Sequence, residues 1–397
     1  MKKRMFLGVL IICLLIVIIH FMLNVIFKNN LELNGDSEVN IKLGEKYYEL
    51  GLKNIDISKI KISGSVDVSK PGVYEITYEV DKKTIIRKVN VIDDIKPEMK
   101  LKGNSDIYLY LGNEYDEDGV VSIDNYDGDI SNKVVVKSDV DKNKVGDYLI
   151  TYTSTDSSSN EAILTRNIHV INKDSNSVNE IPILMYHFFY DDSTKTHATD
   201  NNWIYISDFE EQVKYLVDNN YYFPTWKEIE LYLDGKIKLP DKSIVITVDD
   251  GDPSFFNLGV PVLEKYKVPA TSFMITSWYS PSNYKYDSSL ISIESHSNNM
   301  HRGGCSTGHK GLFQCIDEEK GIQDLKESIS VTKSNMVFCY PFGDVNEREK
   351  VMLNKTGFHL AVTTKYGKIK PGMDKLELPR IRVSGGNSIN YFIKSIN

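Results

Sequence analysis

"SIVITVDDGD", residues Ser243 to Asp252, sets an apolar run against two adjacent carboxylates. Ile244 to Val248 is short, apolar and closed by a turn signal, which reads as a strand. Asp249 and Asp250 then carry like charges a few ångströms apart, and each disfavours ionisation of the other. A strand ending in an Asp-Gly turn accounts for the pattern without any chemistry, as Asp127-Gly128 in "NYDGDIS" illustrates. The surrounding chain decides between a turn and a site.

The stretch sits inside a long alternation that begins at Ile181. "IPILMYH" is a short apolar run, and "SDFEEQVKYLVDNN" is amphipathic, with Phe209, Val213 and Leu216 on one face. Ser207 with Glu210, and Thr225 with Glu228 in "TWKEIELYLDG", have capping-box spacing, which predicts two helix starts. Beyond "SIVITV" come "FNLGVPVLEKYK", "ATSFMIT", "LISIESH", "GIQDLKESISVTKS", "MVFCYPFG", "EREKVMLNKTGF", "HLAVTT" and "LELPRIRV". Strand patterns alternating with helical ones predict a parallel α/β sheet. Seven or eight such strands fit a closed or nearly closed (β/α) barrel, distorted or incomplete, over residues 181–397. Active sites of such barrels lie at the C-terminal strand ends. His187, Asp249-Asp250, His296 and Pro341-Phe342-Gly343 all fall at predicted strand ends.

Ahead of this domain, residues 36–172 repeat themselves. "LGEKYYELG" (Leu43–Gly51) recurs as "LGNEYDEDG" (Leu111–Gly119), "GVYEITYEV" (Gly72–Val80) as "GDYLITYTS" (Gly146–Ser154), and "RKVNVID" (Arg87–Asp93) as "RNIHVIN" (Arg166–Asn172). Apolar residues alternate with period two between Gly and Asn/Asp turns, which predicts two small all-β sandwiches, 36–94 and 95–173, joined at "DDIKP". Earlier still, 23 residues between Arg4 and Lys28 carry no formal charge, more than the roughly 20 that cross a bilayer. With no small-residue cleavage site, and with Lys2, Lys3 and Arg4 kept inside, residues 5–27 predict an uncleaved single-pass anchor in the cell membrane. Everything after Lys28 is then extracytoplasmic. A net charge of −8 argues against nucleic acid as a partner, and no protein partner is predicted. Of four cysteines, Cys13 falls in the anchor. Cys305, Cys315 and Cys339 then allow at most one internal disulfide. A bond between Cys305 and Cys315 and free thiols both stay open, and a second metal site using His309 is the lesser alternative.

His296 and His301 are five residues apart, about 140° on one helix, and on opposite faces of one strand. Two ligands at this spacing need a bend between them. With Asp250 from another strand they make two histidines and one carboxylate with open positions, a common zinc arrangement.

"TVDDG", "HSNNMH" and "YPFG" resemble, in order, three motifs of the carbohydrate esterase family 4 polysaccharide deacetylases, the NodB-homology group, over about Ile181 to Val383. The two repeats resemble bacterial immunoglobulin-like surface domains. By resemblance Asp250, His296 and His301 bind a divalent metal, Zn2+ first with Co2+ and Ni2+ as alternatives, and Asp249 is the general base. The histidine spacing is one residue longer than usual, Cys339 stands where an arginine is usual, and no late "LxxH" histidine follows. These departures resemble the poly-N-acetylglucosamine deacetylases, in which the acid histidine precedes the aspartates. His187 is therefore expected as general acid, Phe342 and Pro341 at the oxyanion position, and Arg380 in place of the missing arginine. The reaction implied is hydrolysis of N-acetyl groups on an amino sugar. The expected substrate is cell-wall peptidoglycan, at N-acetylglucosamine, with lysozyme resistance as the phenotype, since anchor and stalk suit an insoluble polymer beside the membrane. Exported poly-N-acetylglucosamine, O-acetyl ester cleavage and a non-catalytic wall-binding module are the alternatives.

Overall fold

The computed structural model of the chain describes residues 31–173, 180–279, 288 and 290–397. The expected anchor, 5–27, lies outside them. Among the described residues no helix is long and apolar enough to cross a membrane. The chain divides into two compact units. One takes the chain up to Met99 with Val121–Val135 and Thr153–Ile163, and the other takes Lys100–Val120, Val136–Tyr152 and Leu164–Asn397.

In the first unit, strands run in the order Glu38–Lys42, Lys83–Ile92, Gly72–Val80, Lys61–Ser63. The long central hairpin alternates as its sequence requires, turning Ile76, Tyr78, Val89 and Val91 inward. Among the described residues this first repeat has only that one sheet. Its other layer is irregular chain, pinned by a bridge between Leu33 and Leu52 whose side chains complete the core. A second sheet of three strands holds Glu98–Leu101, Val120–Asp124 and Gly128–Asp129. Asp127-Gly128 closes its hairpin, with Gly128 at φ +71°.

The repeat carries a polar signature as well as an apolar one. Arg87 is fully buried, donates to Asn34 O at 2.6 Å and lies 3.6 Å from Glu49. Its counterpart Arg166, in the second unit, is also fully buried. It bonds Tyr115 and Lys102 O and pairs with Glu117 at 2.9 Å. A buried guanidinium needs an opposite charge beside it to offset its desolvation, so the "Y-x-E" segment that supplies Glu49 or Glu117 recurs with the "R" segment of each repeat.

The second unit holds a five-stranded sheet, ordered Ile237–Lys238, Asp106–Tyr110, Glu161–Ile171, Gly146–Thr155, Val135–Ser138, and the barrel. The barrel has seven strands: β1 (Ile183–Tyr186), β2 (Val245–Val248), β3 (Ala270–Met274), β4 (Ile291–Ser295), β5 (Val337–Cys339), β6 (Leu360–Tyr366) and β7 (Leu378–Arg382). They follow in sequence order, all parallel, and β7 closes on β1. β1, β2 and β3 are buried at every residue, which is why they read as continuous apolar runs rather than alternating ones.

Among the described residues six α-helices accompany the strands: α1 (Ile206–Asp218), α2 (Trp226–Leu233), α3 (Val260–Tyr266), α4 (Glu318–Thr332), α5 (Glu347–Thr356) and α6 (Ile389–Ile396). α1 buries Phe209, Val213 and Leu216 as expected, but it starts one residue before Ser207. Tyr205 is its N-cap, with no side-chain bond. The Ser207–Glu210 box is thus corrected. Strand Trp203–Tyr205 feeds straight into the helix, and Glu210 turns outward to Lys265 and Tyr266. The Thr225–Glu228 box is present in both directions. Thr225 also donates to Asp118 Oδ2 at 2.9 Å.

Thr225→Ala is therefore expected to destabilise the barrel domain by about 1 kcal/mol, the usual loss for an N-cap. Ser207→Ala is expected to stay within about 0.5 kcal/mol of wild type. Urea unfolding followed by tryptophan fluorescence separates them, because Trp203, Trp226 and Trp278 all lie after residue 181.

Candidate active site

The strand ends deliver five side chains to one cavity of about 320 Å³. His187 follows β1, Asp249 and Asp250 follow β2, and His296 follows β4, with His301 in the turn beyond it. Three backbone positions that shape this cavity are left-handed without being glycine: Asp250 (φ +72°), Ser297 (φ +71°) and Phe342 (φ +62°). Such conformations are strained for residues with a Cβ and persist only where the surroundings over-determine them. At Ser297 the chain turns out of β4, which supplies the bend that the five-residue histidine spacing required. Asp324 of α4 then accepts from Asn298 N and Asn299 N, both at 2.8 Å, and holds the turn.

The result is a compact donor set. His296 Nε2 lies 3.5 Å and His301 Nε2 3.7 Å from the same oxygen, Asp250 Oδ1. One ligand atom from each lies within 4.8 Å of the others. His296 Nδ1 donates to Cys339 O at 2.7 Å, which points Nε2 at Asp250 as the ring nitrogen a metal would take in place of its proton. Burial, then the neighbouring His296, lowers His301 to about 4, so its imidazole is neutral and able to ligate at neutral pH. Two nitrogens and a carboxylate oxygen suit a divalent transition ion. Asp249, His296 and Cys339 form a second group of potential ligands, but Arg380 takes both oxygens of Asp249, so that group offers no free carboxylate.

Asp249 is almost fully buried beneath the cavity. Arg380 Nη1 donates to its Oδ1 and Nη2 to its Oδ2, each at 2.7 Å. Burial pushes the carboxyl upward, but the charge and hydrogen bonds of Arg380, with His187 and His296, outweigh it and hold Asp249 well below the usual range. The opening pair is thereby resolved: one carboxylate belongs to an arginine, the other to two histidines. His187 Nε2 stands 3.9 Å from Asp249 Oδ2. Burial lowers its pKa, with Asp249 and Asp250 pulling the other way. Phe342 stacks on His301 at 4.4 Å between ring centroids, and a Cβ on Gly343 would collide with Thr364 Oγ1.

Arg380, expected in place of the missing arginine, contacts Asp249 but does not line the cavity. It is 1% exposed, with Nε on Thr363 O and Nη1 also on Thr247 Oγ1, so nothing in its placement brings it to a substrate. Pro341 is buried and is not among the residues lining the cavity either. Sequence reasoning missed Asn202, Thr364 and Arg382 on the cavity wall and Trp278, half-exposed and edge-on to His301 at 5.9 Å. Only the position of Arg382 at the end of β7 gave any signal. Cys305 and Cys315 are joined as a disulfide. His309 bonds Asp344 Oδ1 at 2.8 Å rather than joining a metal group.

Two families of known proteins match parts of this sequence. The polysaccharide deacetylase profile matches residues 236–361, and the bacterial surface protein Ig-like domain matches 31–91 and 99–170. The chain therefore carries a domain of the polysaccharide deacetylase family, the NodB-homology group, with two Ig-like surface domains ahead of it. The matched catalytic span contains Asp249, Asp250, His296, His301 and Phe342 and leaves out His187 and Arg380. Among individual relatives, the poly-beta-1,6-N-acetyl-D-glucosamine N-deacetylase of Staphylococcus aureus (strain MRSA252) is 29% identical over 206 residues, covering 47% of this chain and 70% of that one. Its namesake in Staphylococcus epidermidis is 28% identical over 195 residues, covering 45% and 66%. Among solved structures, a Streptococcus pyogenes deacetylase in complex with acetate has a TM-score of 0.48 at 23% identity, covering 56% of this chain and all of that one.

His296→Ala and Asp250→Ala are expected to purify without bound metal, whereas Asp249→Asn retains it and loses turnover. Elemental analysis of the purified variants checks this, and full metal in His296→Ala would remove His296 from the ligand set.

Proposed function

We propose that the chain is a metal-dependent N-deacetylase acting on β-1,6-linked poly-N-acetylglucosamine. The observation that carries the chemistry is the pairing of a free donor set, Asp250, His296 and His301, with a second carboxylate, Asp249, kept ionised beside His187. A wall-binding module has no need of that arrangement. The substrate rests on the staphylococcal relatives, whose names give that polymer. Peptidoglycan, expected from the anchor and stalk, yields to it for that reason. With residues 5–27 as a membrane anchor, the domain works on the outer face of the cell membrane, where an exported polymer passes.

A bound divalent ion, Zn2+ first among candidates, supplies Lewis acidity toward the amide carbonyl and the attacking water. The rest falls to the chain. Asp249 accepts the proton of the attacking water, and its low pKa keeps it in the base form throughout the neutral range. Arg380 orients that carboxylate through two parallel bonds. The Phe342 amide, at the turn after β5 on the cavity lining, is assigned to the oxygen on which negative charge develops. The proton taken from water passes from Asp249 to His187, 3.9 Å away, and from there to the nitrogen as the C–N bond breaks, leaving acetate and a free amine.

Three outcomes follow. Acetate release from β-1,6-linked N-acetylglucosamine oligomers is expected to exceed that from muropeptides at equal sugar concentration. Release from muropeptides alone would restore the peptidoglycan reading. His187→Ala is expected to keep its metal while kcat falls by about 10² or more, and near-normal turnover would leave His187 a strand-end structural residue. Arg380→Lys removes one of two charge-assisted bonds, so burial gains weight and the Asp249 pKa rises. The acid limb of kcat/KM then moves to higher pH, and activity on its plateau drops by about tenfold. A pH–rate profile of the variant measures both.

A further inference from the structure

A second cluster of carboxylates lies far from the chemistry, wholly within the first compact unit. Asp93 directly follows the last strand of the first repeat, Lys83–Ile92. Asp124 ends Val120–Asp124, and Asp156 follows Gly146–Thr155. All three are buried, at 4%, 3% and 7% exposure, and each offers an oxygen within 4.8 Å of the other two. Among the described residues none of them is in an ion pair, although every other fully buried charge in the two repeats, Arg87 and Arg166, has an opposite charge beside it.

The hydrogen bonds do not resolve this. Asp93 Oδ1 accepts from Ile95 N and Asn125 Nδ2, both at 3.3 Å. Asp124 Oδ1 accepts from Tyr126 N and Asp127 N at 2.8 Å. Asn160 satisfies Asp156 at both oxygens, at 2.8 Å each. What remains is Asp93 Oδ2 and Asp124 Oδ2, both buried and both without any partner. An unpaired buried carboxylate oxygen is strongly disfavoured, and two beside a third carboxylate are more so.

We propose that Asp93, Asp124 and Asp156 form a structural site for a hard divalent cation, Ca2+, separate from the catalytic metal. Two oxygens bound to one Ca2+ at 2.3–2.6 Å can stand no more than about 5 Å apart, and the three carboxylates meet that limit as they stand. The all-oxygen donor set selects against zinc-like ions. Mg2+ keeps several of its waters and is seldom held by an all-protein cage, so three buried carboxylates favour the larger ion. The bound cation would tie the end of the first repeat to two strand ends of the second, stiffening the "DDIKP" joint that begins at Asp93.

The test is calorimetric titration of the full-length, zinc-loaded protein with CaCl2 and, separately, MgCl2, alongside Asp124→Asn and His296→Ala. One Ca2+ per chain is expected, with a Kd of about 10⁻³ M or tighter, the range of extracellular modules. It is expected to bind more tightly than Mg2+, to persist in His296→Ala and to be lost in Asp124→Asn. Ca2+ is also expected to raise the melting temperature of wild type and not that of Asp124→Asn. No uptake up to about 10 mM, or uptake unchanged in Asp124→Asn, would overturn the site. So would a variant more stable than wild type in saturating Ca2+, because the carboxylates would then only repel. Should Asp124→Asn fail to fold, hydrogen exchange of wild type decides. Protection at residues 93–95, 124–127 and 156–160 on adding Ca2+ supports the site, and its absence overturns it.

Discussion

A guanidinium in the interior of a parallel barrel is an expensive group to place, and the catalytic half of this chain is arranged around one. Arg380 enters from β7 and meets Asp249 at the end of β2 through two bonds of 2.7 Å. Its remaining donors reach Thr247 of β2, Thr363 of β6 and the Cys339 sulfur of β5. Four of the seven strands are thereby referred to one planar fork. Desolvation of such a pair can exceed its Coulomb gain, and its value then lies in specifying geometry, because removing one partner strands a buried charge at about 3–5 kcal/mol. Here the geometry specified is that of the proposed base. Cys339 fits this scheme: a second guanidinium in its place would compete for a carboxylate whose oxygens are both already taken.

The second constraint is backbone strain, concentrated where the strands end. Asp250, Ser297 and Phe342 all adopt φ near +60° to +70°, and each belongs to a different loop of the cavity. Tight packing leaves them little alternative. Gly251 next to Asp250 sits so close to Met274 that a Cβ would come within 3.1 Å of its side chain and 3.2 Å of its Cα, and Gly343 next to Phe342 is closed in by Thr364. With the backbone held, Asp250 faces two imidazoles while its neighbour Asp249 faces a guanidinium. Adjacent residues with opposite environments are what two like charges in a row require.

Much of this was legible because it is written in local pattern. Strand ends, the Thr225–Glu228 box and the paired stalk segments follow from apolar periodicity and from polar residues that interrupt it. The misread Ser207 shows the limit. Capping-box spacing is satisfied by any Ser-x-x-Glu, and here a strand runs directly into the helix, so the true cap is Tyr205. Arg380 was singled out in the sequence but not as a buried residue, since "LPRIRV" offers two arginines on one strand face, and only their depth along β7 separates buried Arg380 from Arg382 on the cavity wall. The Asp93, Asp124 and Asp156 cluster was invisible for a different reason. Each aspartate sits in an ordinary turn sequence, and their meeting depends on non-local strand pairing.

The second Ig-like repeat also bears on how the barrel is held. Its five-stranded sheet takes Ile237–Lys238, from the catalytic domain, as an edge strand beside Asp106–Tyr110. Close by, the Glu228 carboxylate accepts from Asn104 N at 3.0 Å, from the Tyr222 hydroxyl at 2.6 Å and from Thr225 N at 2.8 Å. A residue of the repeat is thus fastened to the same side chain that caps α2. From α2, Trp226 Nε1 reaches Thr271 Oγ1 in β3 at 2.8 Å, and β3 is the immediate neighbour of β2, which ends in Asp249. A pure spacer needs only a covalent linker to the domain it displays. Shared sheet edge and shared cap make this part of the repeat a buttress for the barrel wall beside the site, so its sequence is constrained by the catalytic fold as well as by its own.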